Sequence, residues 1–422
     1  MKNSQRMLLG VRNIWNQKWK SLFLIVYGIF AFVLWEKGHE HMPVCGITAL
    51  SQLYVWLFDI FMIEIIVIGI CIILISLGTP LHTKKVKTQL SESNIGNLLK
   101  DIPTLTDYAK KGKITVYEFF SKKITLSKYR EYQGDLEVAL NMQIESIEQG
   151  RNKQYVLIKG ISAKSKFPDM IEWDNSYLCE KDYELVLGVS LTKREIIEIN
   201  TTPHILLGGS TGSGKTILLK LLTAQCVNRG AIVYICDFKG GIDYPQIWHE
   251  KCVFITTVEE MNEKLERVLE IMEEREKILK MSGCVNIYEY NKKAEIKMNR
   301  IVVVCDEIAE VLDKTGLDKE QKILVGQIED KLSTVARLGR AFGEHLFLCT
   351  QRPSAEIIKG EIKDNLGHRI CGRCDQVLSR IILDNSDGAE KIPHDGQGMF
   401  LTNTGVLFKA YYFEDAHLEE RK

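Results

Sequence analysis

A net charge is missing from this sequence: its 422 residues carry 55 Lys and Arg against 55 Asp and Glu. That balance removes any case for the whole molecule acting as an electrostatic partner of nucleic acid, so basic contacts have to be local. A cysteine framework is missing too. Eleven cysteines are scattered without regular spacing, and most lie in apolar strand-like runs such as Ile301 to Cys305, the pattern of reduced thiols rather than of a disulfide-stapled domain. The chain has no internal repeat and no low-complexity tract. With 45% hydrophobic and 26% charged residues it is not a disordered chain. It is also too long for one ordinary core, so two or three structural units are expected.

What the first 80 residues do have is apolar length. Trp19 to Trp35 holds 17 residues and is uncharged after Lys20, at the short end of what spans a bilayer, while Leu53 to Leu77 holds 25. A signal peptide fits poorly, because no small-residue cleavage site follows Trp35 and a second apolar run comes soon after. Lys2, Arg6, Arg12 and Lys18 precede the first run and Lys20 stands at its start, and Lys84, Lys85 and Lys87 follow the second. The connecting segment has only Lys37 against Glu36 and Glu40. The expectation is a membrane hairpin over residues 1–80 with both termini in the cytoplasm. Asp59 and Glu64 lie inside the second run, and Glu64, roughly 16 Å along the helix, needs a partner in an oligomer or in another membrane protein.

Residues 81–184 are expected to form a small α/β domain. From Lys84 to Arg130 there are eleven Lys and Arg against four Asp and Glu, which fits anionic lipid, DNA or simply a solvated surface. Leu136 to Ile147 has helical apolar spacing, whereas Tyr155 to Ile161 and Tyr183 to Leu191 look like strands.

Beyond residue 185 the pattern changes. His204 to Leu207, Ala231 to Cys236, Cys252 to Thr256, Ile301 to Cys305 and His345 to Cys349 are short apolar runs separated by segments of helical periodicity. Such runs predict a mostly parallel twisted sheet with helices on both faces and a ligand at the strands' carboxyl ends. Gly209-Ser210-Thr211-Gly212-Ser213-Gly214-Lys215-Thr216 follows one of these strands and precedes a helix, the setting a phosphate-binding loop requires. Its glycines let backbone amides turn toward a β-phosphate. Lys215 is placed to bridge the β- and γ-phosphates of ATP, and the Thr216 hydroxyl to ligate Mg2+. The strand Ile301–Cys305 ends in Asp306-Glu307. Asp306 is placed to hold magnesium through water and Glu307 to activate an attacking water. A helix cap is the other reading of an acidic pair at a strand end. A glutamate after the strand's aspartate favours an ATPase doing mechanical work over a small kinase.

From about Leu185 to Phe413 the chain resembles the FtsK/SpoIIIE family of DNA translocases. The residues that carry the likeness go beyond the nucleotide motifs. They include Asp237-Phe238-Lys239-Gly240, similar to the family's Asp-Pro-Lys-Gly, and Met272-Glu-Glu-Arg275 followed by Tyr290-Asn291. Gly339-Arg340-Ala-Phe-Gly343, Thr350-Gln351-Arg-Pro-Ser354, Ile362-Lys-Asp-Asn365 and Ser379-Arg-Ile-Ile-Leu-Asp384 with Gly388-Ala-Glu-Lys391 follow in order. The resemblance implies a RecA-like motor over residues 185–422 that assembles as a hexameric ring around DNA, with ATP between neighbours. It further implies that Gln351 senses the γ-phosphate, that Asp237 and Lys239 lie at the nucleotide site, and that Arg340 is the finger offered to the neighbouring subunit's ATP, with Arg337 and Arg369 as alternatives.

Phe238 replaces the family's proline, which leaves the local loop geometry open. The sequence is also expected to lack room for a winged-helix domain that reads orienting sequences. A short motor behind a two-span anchor is similar to the coupling proteins of Gram-positive conjugative elements, which implies relaxase and type IV secretion channel proteins as partners in the bacterial cell membrane. A type VII-like protein-secretion ATPase, a chromosome- or plasmid-partition translocase and a membrane scaffold switched by nucleotide are the rival readings. Cys371-Gly-Arg-Cys374 has metal-ligand spacing without a second pair nearby, which leaves zinc, redox chemistry or a core position open.

Overall fold

Ten strands form the larger sheet. They are β5 (Glu184–Val189), β6 (Arg194–Glu198), β7 (Ile205–Gly208), β8 (Ile232–Cys236), β9 (Val253–Ile255), β10 (Ile301–Cys305), β11 (Glu344–Thr350), β12 (His368–Gly372), β13 (Met399–Thr402) and β14 (Leu407–Ala410). Their spatial order is β6-β5-β14-β13-β12-β7-β11-β10-β8-β9. The run from β12 to β9 is parallel, and the four strands on the other side of β12 are antiparallel. The computed structural model describes residues 3–41, 48–80, 82–93, 95–99, 101–238, 240, 242–351, 358 and 360–418.

Strand alternation sorts the apolar side chains to two faces. Leu206, Val303, Cys305, Leu346 and Leu348 join one core, and Ile205, Leu207, Val302, Val304, Phe347 and Cys349 join the other. Every residue of β10 is buried, as expected of a strand covered on both sides. The first core is closed by the helices Val258–Ser282 and Lys319–Phe342, which start at capping boxes on Thr257 and Asp318. These boxes satisfy amides that a helix start leaves without partners. The second core is closed by the helix Lys215–Val227. The segment after β14 returns over that helix: Lys220 donates to both oxygens of Asp415 at 3.0 Å, and Trp248 Nε1 donates to Asp415 Oδ1 at 2.6 Å.

The chain divides into two compact units, residues 1–165 and 166–422. The second unit begins at Lys166 rather than at residue 185, because Trp173 packs edge-on against Tyr411 and its amide donates to the Tyr412 carbonyl at 2.9 Å. In the first unit, β1 (Thr104–Lys111), β2 (Ile114–Phe120), β3 (Met142–Gln149) and β4 (Tyr155–Ser162) form an antiparallel sheet of order β1-β2-β4-β3. Helices pack on it through Val86, Leu90, Leu136 and Leu140. The helical spacing expected from Leu136 to Ile147 stops early. Asn141 is left-handed at φ 50°, and from Met142 onward burial alternates as a strand.

Among its described residues the same unit holds two helices long and apolar enough to cross a membrane, Lys18–Glu40 with a mean hydropathy of 1.5 and Ala49–Leu77 with 3.0. Asp59 accepts from Trp35 Nε1 and His39 Nε2, each at 2.8 Å, so the first helix partners it. Glu64 is exposed on the second helix.

Candidate active site

The phosphate-binding loop is the turn between β7 and the helix Lys215–Val227. Gly212 and Gly214 adopt φ 74° and 96°, a region that side chains make costly. At Gly214 a Cβ would also come within 3.3 Å of the Gly398 backbone. The loop is held from behind. Ser213 O accepts from Gly398 N at 2.8 Å, and Ser210 N donates to Arg373 O at 2.8 Å. Ser213 Oγ is fully buried without a hydrogen-bond partner among the described residues. An orphaned hydroxyl inside a turn of inward-facing amides is what a bound phosphate would satisfy.

Strand order brings the rest of the site together. β11 lies between β7 and β10, so the loop and the acid pair are two strand spacings apart, about 10 Å. Long side chains close that gap. Lys215, 5% exposed, donates from Nζ to the Asp306 carbonyl at 2.6 Å and to Asp306 Oδ1 at 3.1 Å. Burial opposes its charge, but the acidic groups around it, Cys349, Asp306 and Glu307, outweigh that and hold its pKa above the usual lysine value. Thr216 Oγ1 lies 3.4 Å from both Asp306 carboxylate oxygens. Thr216 and Asp306 are therefore the pair that would hold magnesium, which when bound neutralises charge on phosphate oxygens.

Glu307 is buried and already partnered. Its Oε1 accepts from Thr350 Oγ1 at 2.9 Å, and its Oε2 accepts from the Gln351 amide at 2.9 Å. The Gln351 side chain in turn accepts from Thr211 Oγ1 at 3.0 Å. The end of β11 thus touches the acid pair on one side and the loop on the other. Asp237, at the end of β8, is buried and its amide donates to the Ile255 carbonyl at 3.0 Å; Lys239 lies outside the described residues.

The three candidate finger arginines are at the other end of the sheet. Arg340 is in the last turn of the helix Lys319–Phe342 and is exposed. That helix feeds the amino end of β11, whereas the loop sits at the carboxyl ends, roughly 20 Å away at 3.3 Å per residue. Arg340 is therefore out of reach of the loop of this chain. Arg337 is 3.7 Å from Glu361. Arg369 is largely buried and occupied by Asp384 and by the carbonyls of Leu366 and Lys363, which leaves it no free edge to offer a neighbour.

Two contacts were not evident from sequence. Thr350 holds Glu307, and its place beside Gln351 in Thr350-Gln351-Arg-Pro-Ser354 was the available signal. Arg373 reaches the loop, donating from Nη2 to the Thr211 carbonyl at 3.0 Å. It comes from a segment far along the chain, so no spacing pattern announces it. Cys371 and Cys374 have their sulfurs 3.3 Å apart. Among the described residues no group of three or more His, Cys, Asp or Glu is placed to hold a metal.

A parallel sheet with a glycine-rich loop after β7, acids at the end of β10 and an inserted β11 between them defines a P-loop nucleoside-triphosphatase fold of RecA-like order. Residues 183–355 match the FtsK/SpoIIIE family. A solved structure of the pCW3 conjugation coupling protein TcpA, in monomer form with ATPγS, is 35% identical, has a TM-score of 0.59, and aligns over 80% of this chain and 96% of that one. The chain belongs to the FtsK/SpoIIIE family. The DNA translocase SpoIIIE of Bacillus subtilis is 28% identical over 382 residues, which is 82% of this chain and 47% of the relative. The DNA translocase FtsK of Treponema pallidum is 31% identical over 56% of this chain and 30% of the relative. The chain thus spans half or less of the length of these two curated relatives.

Proposed function

We propose that this chain is a membrane-anchored, ATP-driven DNA translocase that acts as a coupling protein, delivering DNA with its relaxase to a conjugative type IV secretion channel. The observation that carries the reading is the assembled site. Lys215, Thr216, Asp306, Glu307 and Gln351 converge at the carboxyl ends of β7, β10 and β11. The likeness to a conjugation coupling protein over 96% of its length supports the cellular role, and two apolar helices support the anchor.

In this reading Lys215 leaves Asp306 for the β- and γ-phosphates, and the loop amides and Ser213 Oγ take phosphate oxygens. Glu307 exchanges its donors on β11 for the attacking water and accepts its proton. Gln351, bonded to both the loop and Glu307, reports the γ-phosphate to β11. Arg340 completes the site of a neighbouring subunit in a hexameric ring, because it lies too far from its own loop.

The test is phosphate release by the full chain in detergent, without DNA, with single-stranded DNA and with duplex. DNA-stimulated hydrolysis that vanishes in Lys215→Ala is expected. Hydrolysis indifferent to both kinds of DNA would sink the translocase reading, and none at all would sink the ATPase.

A further inference from the structure

β12 ends at Gly372, and Asp375 caps the helix Gln376–Leu383 by accepting the Leu378 amide at 2.7 Å. Cys371, buried, is the last residue but one of β12, and Cys374, half-buried, lies in the turn that follows, with their sulfurs 3.3 Å apart. Gly388 lies over both: a Cβ there would come within 3.3 Å of each sulfur. The two thiols are unequal. Hydrogen bonds from Cys371 and Ser379 lower the pKa of Cys374, while the bond it gives to Cys374 and its burial raise that of Cys371. Other cysteines here are inert by comparison, Cys226 and Cys252 being pushed up to about 12 by burial.

The turn is also the rear wall of the phosphate-binding loop. Arg373 accepts the Ser210 amide on its carbonyl at 2.8 Å and donates to the Thr211 carbonyl at 3.0 Å and the His394 carbonyl at 2.9 Å. Gly372 has no slack, since a Cβ there would lie 2.9 Å from the Phe400 ring and 3.2 Å from Ser213 Cβ.

We infer that Cys371 and Cys374 form a reversible disulfide that switches the phosphate-binding loop between binding and non-binding forms. This rests on the nucleotide-binding reading above. A disulfide needs its sulfurs about 2.05 Å apart, so closing it draws Cys374 toward β12 by more than 1 Å or so. Gly372, packed against Phe400 and Ser213, leaves little room to absorb that movement, so it passes to Arg373, which is bonded to the loop. The oxidant is a low-molecular-weight disulfide. The Cys374 thiolate attacks one of its sulfurs and expels a thiolate. Cys371 then attacks the Cys374 sulfur and expels the second. The protein gives up two electrons and two protons, and the small disulfide leaves as two thiols. In the oxidised form Arg373 no longer fixes the Thr211 carbonyl and the Ser210 amide turns away, so nucleotide affinity falls by about tenfold or more.

The experiment uses the full chain in detergent, with and without glutathione disulfide. Peptide mass mapping reads the bond, and equilibrium binding of a fluorescent ATP analogue reads the loop. The expected result is a Cys371–Cys374 peptide, the loss of affinity, its recovery with dithiothreitol, and no loss in Cys371→Ala or Cys374→Ser. No bond after oxidation, a bond with unchanged affinity, or an equal loss in the variants would each overturn the switch. If a variant misfolds, wild-type protein with and without dithiothreitol decides the matter alone. Reduced protein that binds no nucleotide would overturn the functional reading as well, which separates the two failures.

Discussion

Glu344 opens β11 with a fully buried carboxyl group, and neither of its carboxyl oxygens has a hydrogen-bond partner among the described residues. Arg275 Nη1 is 3.9 Å away, but its guanidinium is already spent on the carbonyls of Phe342 and Asn299 at 2.5 and 2.6 Å. Burial therefore dominates, and Arg275 offsets it only in part, leaving the carboxyl pushed up from 4.5 to about 8. The folded state binds this proton more tightly than the unfolded chain. Its contribution to stability is full below 4.5 and is lost as pH rises through about 8. Each pH unit inside that window costs about 1.4 kcal/mol, and with the titration rounding off at its upper end the loss from pH 6 to pH 8 is about 2 kcal/mol. For a unit of this size that is a fall in Tm of about 4–8 °C.

Glu344→Gln keeps the shape and removes the proton. His345, His204 and His368, whose pKa values burial lowers, titrate alike in both proteins and cancel in the comparison. The assay is thermal unfolding by tryptophan fluorescence at both pH values, for wild type and variant. The variant should lose that part of the pH dependence. If both proteins fell by the same amount, Glu344 would be ionised in the fold and paired with Arg275 after all.

Glu307→Gln should bind ATP with near wild-type affinity and lose hydrolysis by about two to four decades, because a base is needed only for the water; parent-rate turnover in single-cycle assays would remove Glu307 from that role. Lys215→Ala and Arg340→Ala, each inactive alone, should restore DNA-stimulated hydrolysis when mixed, since some boundaries then pair an intact loop with an intact arginine. Arg340→Ala by itself should cost about three to five decades, and mixed rings without recovery would make Arg340 a structural or DNA-facing charge. With native Cys45 removed, a cysteine at Gly46 should react with an impermeant thiol reagent outside the cell and one at Thr83 should not; the reverse pattern would invert the proposed topology.

The nucleotide loop, the acid pair and most of the parallel strands were legible because each is a local signal: a glycine pattern, or an apolar run ending in charge. What escaped depends on contacts between distant segments. Met142 to Gln149 continues the apolar rhythm of the helix before it, and only the left-handed Asn141 separates the two. β12, β13 and β14 are short, and what makes them strands is pairing with one another and with β7 and β5. Residues 166–183 fall by sequence within the expected small α/β domain, and it is the contact of Trp173 with Tyr411 that ties them to the second unit. Arg369 looked as free as Arg340, and only its ties to Asp384 and two carbonyls separate them.

The pairing of β14 with β5, Lys409 opposite Val189 and Ala410 opposite Gly188, sets the order of events on the ribosome. β5 is synthesised before the nucleotide loop, yet its partner emerges about 220 residues later, roughly 10–45 s at ordinary elongation rates. During that interval one edge of β5 is an open template for any passing strand. The buried Phe408 and Phe413 and the Asp415 anchor for Lys220 arrive at the same late moment. A nascent chain therefore holds every candidate nucleotide-site residue before it holds a closed sheet. Messages cut short before Leu407 should yield protein for the quality-control proteases rather than a folded but less active chain.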